Sequence, residues 1–204
     1  MSAASETSIG RPKTFDRDRV IDVAMDSYWR EGVENVSLNE LCRRAEVSKP
    51  GVYREFGGEE GLLDAVLEHY AKTVLAPNAA LVDLDLPFQK AAAAMIAMLT
   101  SDEGSGPVGC LLAQMQQRPQ QLGPVVKARV ELLRNAARTA YAHWVDVAKS
   151  RGEIDPQVST EVAAAFIDIQ CTTVLVQMSV GEDLELLRAQ AALAFSGLAP
   201  SSAS

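Results

Sequence analysis

The 204-residue chain is predicted to be all-α. Glycine and proline punctuate it at Gly32, Pro50-Gly51, Gly57-Gly58, Pro77, Pro87, Gly104 to Gly109, Pro119, Gly123-Pro124, Gly152, Pro156, Gly181 and Gly197, and the stretches between are too long for ordinary strands. Within those stretches apolar residues recur at three- and four-residue spacing, without the alternation of half-buried strands. Helix-start residues stand where several of the stretches begin.

The first helix is expected from about Asp16 to Glu31, with Val20, Ala24, Ser27 and Tyr28 on one face beside Ile21 and Val23, and Gly32 closing it. Ser37 stands three residues before Glu40, a capping-box spacing that starts a short helix over Leu38–Ala45. Ser48 is the next N-cap, with Pro50 in the first turn, where its missing N–H does no harm, and this helix runs to Phe56. Gly57-Gly58 ends it. Glu59 and Glu60, favourable beside a helix N-terminus, open a longer helix through Leu62, Leu63, Val66, Leu67 and Tyr70. Beyond Pro77, taken as a break, helices are expected at 87–101, 106–118, 121–151, 156–180 and 182–198. Ser101 to Pro107 reads as a flexible link, and residues 1–9 and 199–204 as disordered tails.

With 48% hydrophobic, 23% charged and 5% aromatic residues, the chain excludes disorder and collagen-like fibres. No apolar run approaches the roughly 18–20 residues needed to cross a bilayer, and the first ten residues lack the basic start and apolar stretch of a secretory signal. The expected location is cytoplasmic, with no membrane partner. Three cysteines, Cys42, Cys110 and Cys171, lie far apart and outside any CxxC pair, so neither a disulfide framework nor a zinc site is expected. Two histidines leave little for a metal cluster or triad. No catalytic residue, metal or cofactor is therefore assigned. The formal charge of -8 and pI near 4.8 argue against a polyanionic partner. The charge is uneven, however: residues 1–57 hold nine Lys and Arg against ten Asp and Glu, and residues 58–204 hold ten against seventeen.

Leu38–Ala45 and Lys49–Phe56, separated by Glu46-Val47-Ser48, have the spacing of a helix-turn-helix. Leu38, Leu41, Cys42, Val47, Val52 and Phe56 form its apolar side, leaving Lys49, Gly51, Arg54 and Glu55 outward and Tyr53 at the edge, a helix that fits a DNA major groove. By geometry alone such a pair also serves as plain packing in many helical proteins. The residues add specificity. GRPK at Gly10 to Lys13, VIDVAMDSYWREG at Val20 to Gly32, SLNELCRRAEVSKPGVYREF at Ser37 to Phe56 and EEGLL at Glu59 to Leu63 together resemble the DNA-binding domain of the TetR/AcrR family of transcriptional regulators. GCLLAQM at Gly109 to Met115 and the stretch from Gly181 to Leu198 resemble segments of that family's effector and dimerisation domain.

The resemblance implies an N-terminal three-helix DNA-binding domain over 10–58 and a larger helical effector-binding and dimerisation domain over 59–198. It places Lys49, Pro50 and Gly51 at base edges, Tyr53 at a phosphate, and Ser37 and Ser48 as caps of helices whose N-termini approach the DNA backbone. Asn39 is a further candidate, since its amide could pair with adenine, the alternative being a solvated helix residue. The chain departs from the family pattern at Glu46, where Gly is common, at Glu55, where His or Tyr is common, and at Glu59, where Lys is common. Arg54, Lys49, Arg43 and Arg44 can supply attraction instead, with Arg11, Lys13, Arg17 and Arg19 as a basic arm.

For the second domain, Phe88, Met95, Met98, Leu99, Cys110, Met115, Tyr141, Trp144, Phe166, Ile169 and Gln170 are candidate pocket residues, each alternatively plain core. The last two helices carry apolar residues on more than one face, as expected of a homodimer interface. The implied function is a ligand-responsive repressor that a small hydrophobic effector releases from a palindromic, double-stranded operator. Two alternatives stand beside it: a regulator of the same fold sensing oxidation through Cys110 or Cys171, and a helical small-molecule-binding protein without DNA function.

Overall fold

The computed structural model describes residues 15–79, 85–101, 107–117 and 119–200. Residues 1–9, Arg11 and Lys13 of the basic arm, most of the expected Ser101–Pro107 link and residues 201–204 lie outside them. The order is α1 (Arg17–Glu31), α2 (Leu38–Ala45), α3 (Lys49–Phe56), α4 (Glu59–Tyr70), α5 (Ala76–Ala79), α6 (Phe88–Leu99), α7 (Leu111–Gln116), α8 (Pro124–Ser150), α9 (Thr160–Ser179) and α10 (Leu184–Ser196), with short 3-10 turns at Val33–Asn35 and Pro119–Gln121. Among the described residues there is no strand.

Local chemistry accounts for the helix starts. Asp16 caps α1 by accepting from the Arg19 N–H at 3.1 Å, Ser37 caps α2 from Glu40 at 3.3 Å, Ser48 caps α3 from Gly51 at 3.2 Å, and Ser159 and Asp183 do the same for α9 and α10. The Ser37–Glu40 pair forms only half a capping box. Glu40 turns away from the Ser37 N–H and accepts from Arg43 and Arg44, where two guanidinium groups outcompete one amide.

Three expectations are revised. The helix beyond Tyr70 does not stop: a π-helical turn over Ala71–Leu75 leads directly into α5, with Ala76 N–H donating five residues back to the Ala71 carbonyl. That wider turn lets the helix continue to Ala79 although Pro77 can donate no helical bond. The helix expected at 106–118 is shorter, because Gly109 takes φ +85° and Cys110 becomes the N-cap of α7. The expectation that no segment reaches bilayer length also fails, since α9, with 20 residues, is long and apolar enough by length and composition. Here its Ala163, Ala164, Ile167, Cys171 and Val174 are buried, and it packs between α8 and α10.

Two apolar clusters organise the molecule. The first gathers Val20, Ala24 and Tyr28 of α1, Leu38 and Leu41 of α2, Val52 of α3 and Leu62, Val66 and Leu67 of α4, and continues into Leu111 and Met115 of α7 and Val126 and Val130 of α8. The core therefore crosses residue 58. At roughly 1.5–3 kcal/mol for each large side chain fully buried, this shared core makes α4 a common wall of both halves. The second cluster joins α6, the C-terminal half of α8, α9 and α10 around Phe88, Trp144, Ile167 and Phe195. α6 is fastened at both ends from a distance: Glu153 Oε2 accepts from Phe88 N–H at 2.7 Å, and Arg188 donates to the Thr100 hydroxyl and carbonyl, each at 2.8 Å.

Candidate nucleic-acid interface and effector cavity

α2 and α3 meet at a turn made by Glu46, which adopts the left-handed conformation at φ 57° and sends its N–H back to the Arg43 carbonyl at 3.3 Å. Ser37, Asn39, Ser48, Lys49, Pro50, Tyr53 and Arg54 are all exposed. Ser48 through Arg54 thus present a hydroxyl, an ammonium, a phenol and a guanidinium along one short helix. Gly51 differs from its neighbours in being buried: a Cβ there would stand 3.0 Å from Phe15 Cδ2, so its part is to let the Phe15 ring lie against α3. Phe15 continues onto Phe56, with ring centroids 6.1 Å apart.

Two of the three acidic residues that depart from the family pattern, Glu55 and Glu46, are paired with arginines. Arg17 pairs with Glu55 at 3.2 Å while its guanidinium lies 5.4 Å from the centroid of the Phe56 ring, and Arg19 reaches Glu46 at 3.7 Å. Arg43 and Arg44 bind Glu40 at 2.6 and 2.7 Å, and Arg44 also bridges to Glu31 and donates to the Ser27 hydroxyl at 2.9 Å. These hydrogen bonds hold the Glu40 carboxyl down to about 2 and lower that of Glu31. Arg17, Arg19, Arg43 and Arg44 are the phosphate attractors expected from the sequence beside Lys49 and Arg54. The structure ties each to a carboxylate, whereas Lys49 and Arg54 make no ion pair among the described residues. The third departure, Glu59, lies exposed in the first turn of α4, where the helix dipole favours a carboxylate.

A cavity of about 460 Å³ opens between the α4–α5 helix, α6, α7, α8 and α9. Met95, Met98, Leu99, Cys110 and Tyr141 lie on its wall. Phe88 and Trp144 do not; their rings pack 4.6 Å apart in the second core cluster. Met115 faces a separate cleft of about 1030 Å³, Phe166 packs against the second cluster, Gln170 is half-buried outside the cavity wall, and Ile169 is 56% exposed. Residues not picked from the sequence also line the cavity, chiefly Trp29, Tyr70, Asp168 and Cys171. The Tyr70 hydroxyl donates to Cys110 Sγ at 3.2 Å, and Trp29 meets the Tyr70 ring edge-on at 4.9 Å. Trp29 follows the buried Tyr28 by one position, about 100° around α1, so it lies off the core face that the apolar spacing of α1 marks.

A short helix pair with an outward basic helix start, resting on a helical domain that borders a cavity, is the two-part architecture of a helix-turn-helix reader joined to a helical domain. A family model described as bacterial regulatory proteins, tetR family, matches residues 20–66. The HTH-type transcriptional repressor ComR of Escherichia coli (strain K12) is 28% identical over 189 residues, spanning 88% of this chain and 87% of that protein. The HTH-type transcriptional repressor BdcR of the same organism is 26% identical over 107 residues, 52% of this chain and 54% of its own. A structure of the TetR family regulator CifR, a cysteine mutant complexed with 26-bp double-strand operator DNA, superposes with TM-score 0.76 at 26% identity over 91% of this chain and 98% of that one. Reduced NemR of Escherichia coli shares the fold, with TM-score 0.79 at 14% identity over 92% and 99%. Residues 20–66 thus match the TetR family model, and the chain over most of its length is similar to TetR-type transcriptional regulators.

Proposed function

We propose that the chain is a repressor released from a palindromic operator by a small, largely hydrophobic effector. The observation that carries this reading is Trp29: it belongs to α1, the helix on which α2 packs, and it also lines the cavity, so a bound molecule would touch the DNA-reading half directly. In this reading Lys49 and Pro50 meet base edges and Gly51 gives the backbone close packing. Tyr53 and Arg54 take phosphate oxygens, Asn39 reaches the groove from α2, and the helix starts capped by Ser37 and Ser48 lie against the DNA backbone.

A homodimer through α9 and α10 supplies the second reading head. Support comes from apolar side chains left in the open on these helices: Val162 at 61%, Leu186 at 47% and Leu193 at 75% exposure, with Ile169 between them. A two-fold pair would set the recognition helices about 34–36 Å apart, one turn of duplex.

The thiol-sensing alternative draws on Cys110 and Cys171 facing the same cavity. Burial pushes both thiols up, Cys171 to about 12, which leaves little thiolate to react and favours the ligand reading.

The test is a duplex selected from a random pool by the purified chain, followed by anisotropy titration in the presence of apolar compounds that raise the melting temperature. Compounds that fill the cavity are expected to weaken duplex binding about 5- to 150-fold. Duplex affinity indifferent to every stabilising compound would overturn the reading.

A further inference from the structure

α8 starts at Gly123-Pro124, and neither residue can offer a side-chain acceptor to the exposed first-turn amides. The acceptor comes from α4. Glu60 Oε1 accepts from Val125 N–H at 2.8 Å and from Val126 N–H at 3.5 Å. Gly123 leaves room for that carboxylate, since a Cβ there would stand 2.2 Å from Oε1 and 2.4 Å from Cδ of Glu60. One turn further along α4, Asp64 accepts from Arg129 Nε at 2.8 Å and Nη2 at 3.0 Å, so the two helices are tied at successive turns.

What lies at either end of this tie gives it meaning. α4 follows the recognition helix after only Gly57 and Gly58, and Gly61 lies against the Phe56 carbonyl. α8 continues from its capped start into the cavity wall at Leu133, Ala137 and Tyr141. We propose that Glu60 is the positioning residue that links the DNA-reading helices to the cavity wall, by capping the start of α8 from α4, the helix whose core the two halves share. The inference rests on the ligand-responsive reading above and names the contact that transmits it. A cap shared between two bodies is reciprocal: whatever fixes α3 and α4 strengthens the cap, and whatever displaces α8 loosens the hold on α3.

The experiment is hydrogen exchange on the full chain, with and without a duplex recovered from a random pool by the wild-type protein. In the wild type, the duplex is expected to slow exchange in α2 and α3 and also at Val125 and Val126. Glu60→Ala is expected to speed exchange of those two amides about fivefold and abolish their response to duplex, while α2 and α3 stay protected by it. Glu60→Gln, which keeps the shape and a neutral acceptor at the same reach, should recover only part of the response, whereas a purely space-filling role would recover all of it. Gly123→Asp gives α8 a cap of its own and displaces Glu60, so α8 should remain protected but no longer respond; this variant decides the matter where Glu60→Ala does not fold. An unchanged duplex response at Val125 and Val126 in Glu60→Ala or Gly123→Asp overturns the proposal, as does a wild-type α8 that ignores the duplex while α2 and α3 respond. Failure of the duplex to protect wild-type α2 and α3 strikes the DNA-binding reading itself and takes the proposal with it.

Discussion

Gly61→Ala sets two effects of opposite sign against each other at the junction between the recognition helix and the rest of the molecule. Gly61 lies in the first turn of α4, where replacing Gly by Ala favours the helix by about 0.5–1 kcal/mol. The new Cβ, however, would fall 1.7 Å from the Phe56 carbonyl oxygen, about 1.3 Å inside the 3.0 Å that such contacts need. The obstacle is backbone, so no rotamer relieves it and α3 must shift relative to α4. Overpacking of this kind costs about 3 kcal/mol. The net loss is then about 2 kcal/mol, or a fall of about 4–8 °C in melting temperature for a chain of this size. Gly57→Ala is the control: Gly57 has φ +78° with nothing within 4 Å of a Cβ, so its cost is the left-handed backbone alone, about 1 kcal/mol. Calorimetric melts of the two variants, with anisotropy on a pool-selected duplex, separate collision from conformation. A Gly61→Ala protein that melts at or above wild type, or no lower than Gly57→Ala, would refute the reasoning.

Glu46→Gly should raise the melting temperature by about 1–3 °C, because relief of the left-handed φ 57°, about 1 kcal/mol, exceeds the few tenths of a kcal/mol lost with its exposed 3.7 Å pair to Arg19. The Glu31–Arg44–Glu40 network should show in acid: both carboxyls are held below their ordinary values, so its stabilising effect is complete above pH 4.5 and fades as the pH falls toward about 2. The melting-temperature difference between wild type and Arg44→Met, followed from pH 7 to pH 2.5, should shrink only below pH 4.5; shrinkage already complete at pH 4.5 counts against the network. Iodoacetamide at pH 8 should leave Cys110 and Cys171 unlabelled in the native chain and label both in denaturant, as mass spectrometry can read, since burial raises both thiols. Rapid native labelling of Cys171 would revive the thiol-sensing alternative. Arg54→Ala, removing a proposed phosphate contact, should weaken binding of any duplex and reduce the salt slope by about 1 in anisotropy titrations at several salt concentrations, whereas Lys49→Ala should relax the sequence preference at one position.

The parts of the fold legible in the sequence were those written in local chemistry. Ser37, Ser48 and the Gly57-Gly58 pair mark helix ends because each acts on amides or dihedrals within a few residues. What stayed hidden depends on partners far along the chain. Glu40 satisfied the capping-box spacing, yet its arginines lie on the other side, and nothing local says which donor wins. Glu60 read as a favourable helix-start charge, whereas its contact is with amides 65 and 66 residues away. The cavity shows the same limit. Met95, Met98 and Leu99 share one turn of α6 and were found together, but Phe88, on the same helix, turns to Trp144 instead. α9 is apolar around nearly its whole circumference, so its pattern could not tell Cys171, on the cavity wall, from Ile169, in the open.

The ion pairs of the DNA-reading half bear on how an acidic chain can hold a polyanion. Arg17, Arg19, Arg43 and Arg44 each lie against a carboxylate, so a count of basic residues overstates the attraction that a phosphate meets. The pairs are unequal, however. Arg44 is held by Glu31 and Glu40 and also reaches Ser27, which makes it part of the frame joining α2 to α1. Arg17 and Arg19 have half-exposed side chains, each with a single carboxylate partner on α3 or the turn before it. Exposed pairs of this kind are worth at most about 1 kcal/mol, and each can be exchanged for a phosphate contact that releases condensed counterions. DNA can therefore draw Arg17 and Arg19 away from Glu55 and Glu46 at small cost, while Arg43 and Arg44 keep α2 in place. On the proposed assignment of Lys49, Tyr53 and Arg54 to DNA, the acidic neighbours lower affinity for any duplex that does not also satisfy those three, so the near-neutral charge of this half would trade indiscriminate attraction for dependence on a matched site.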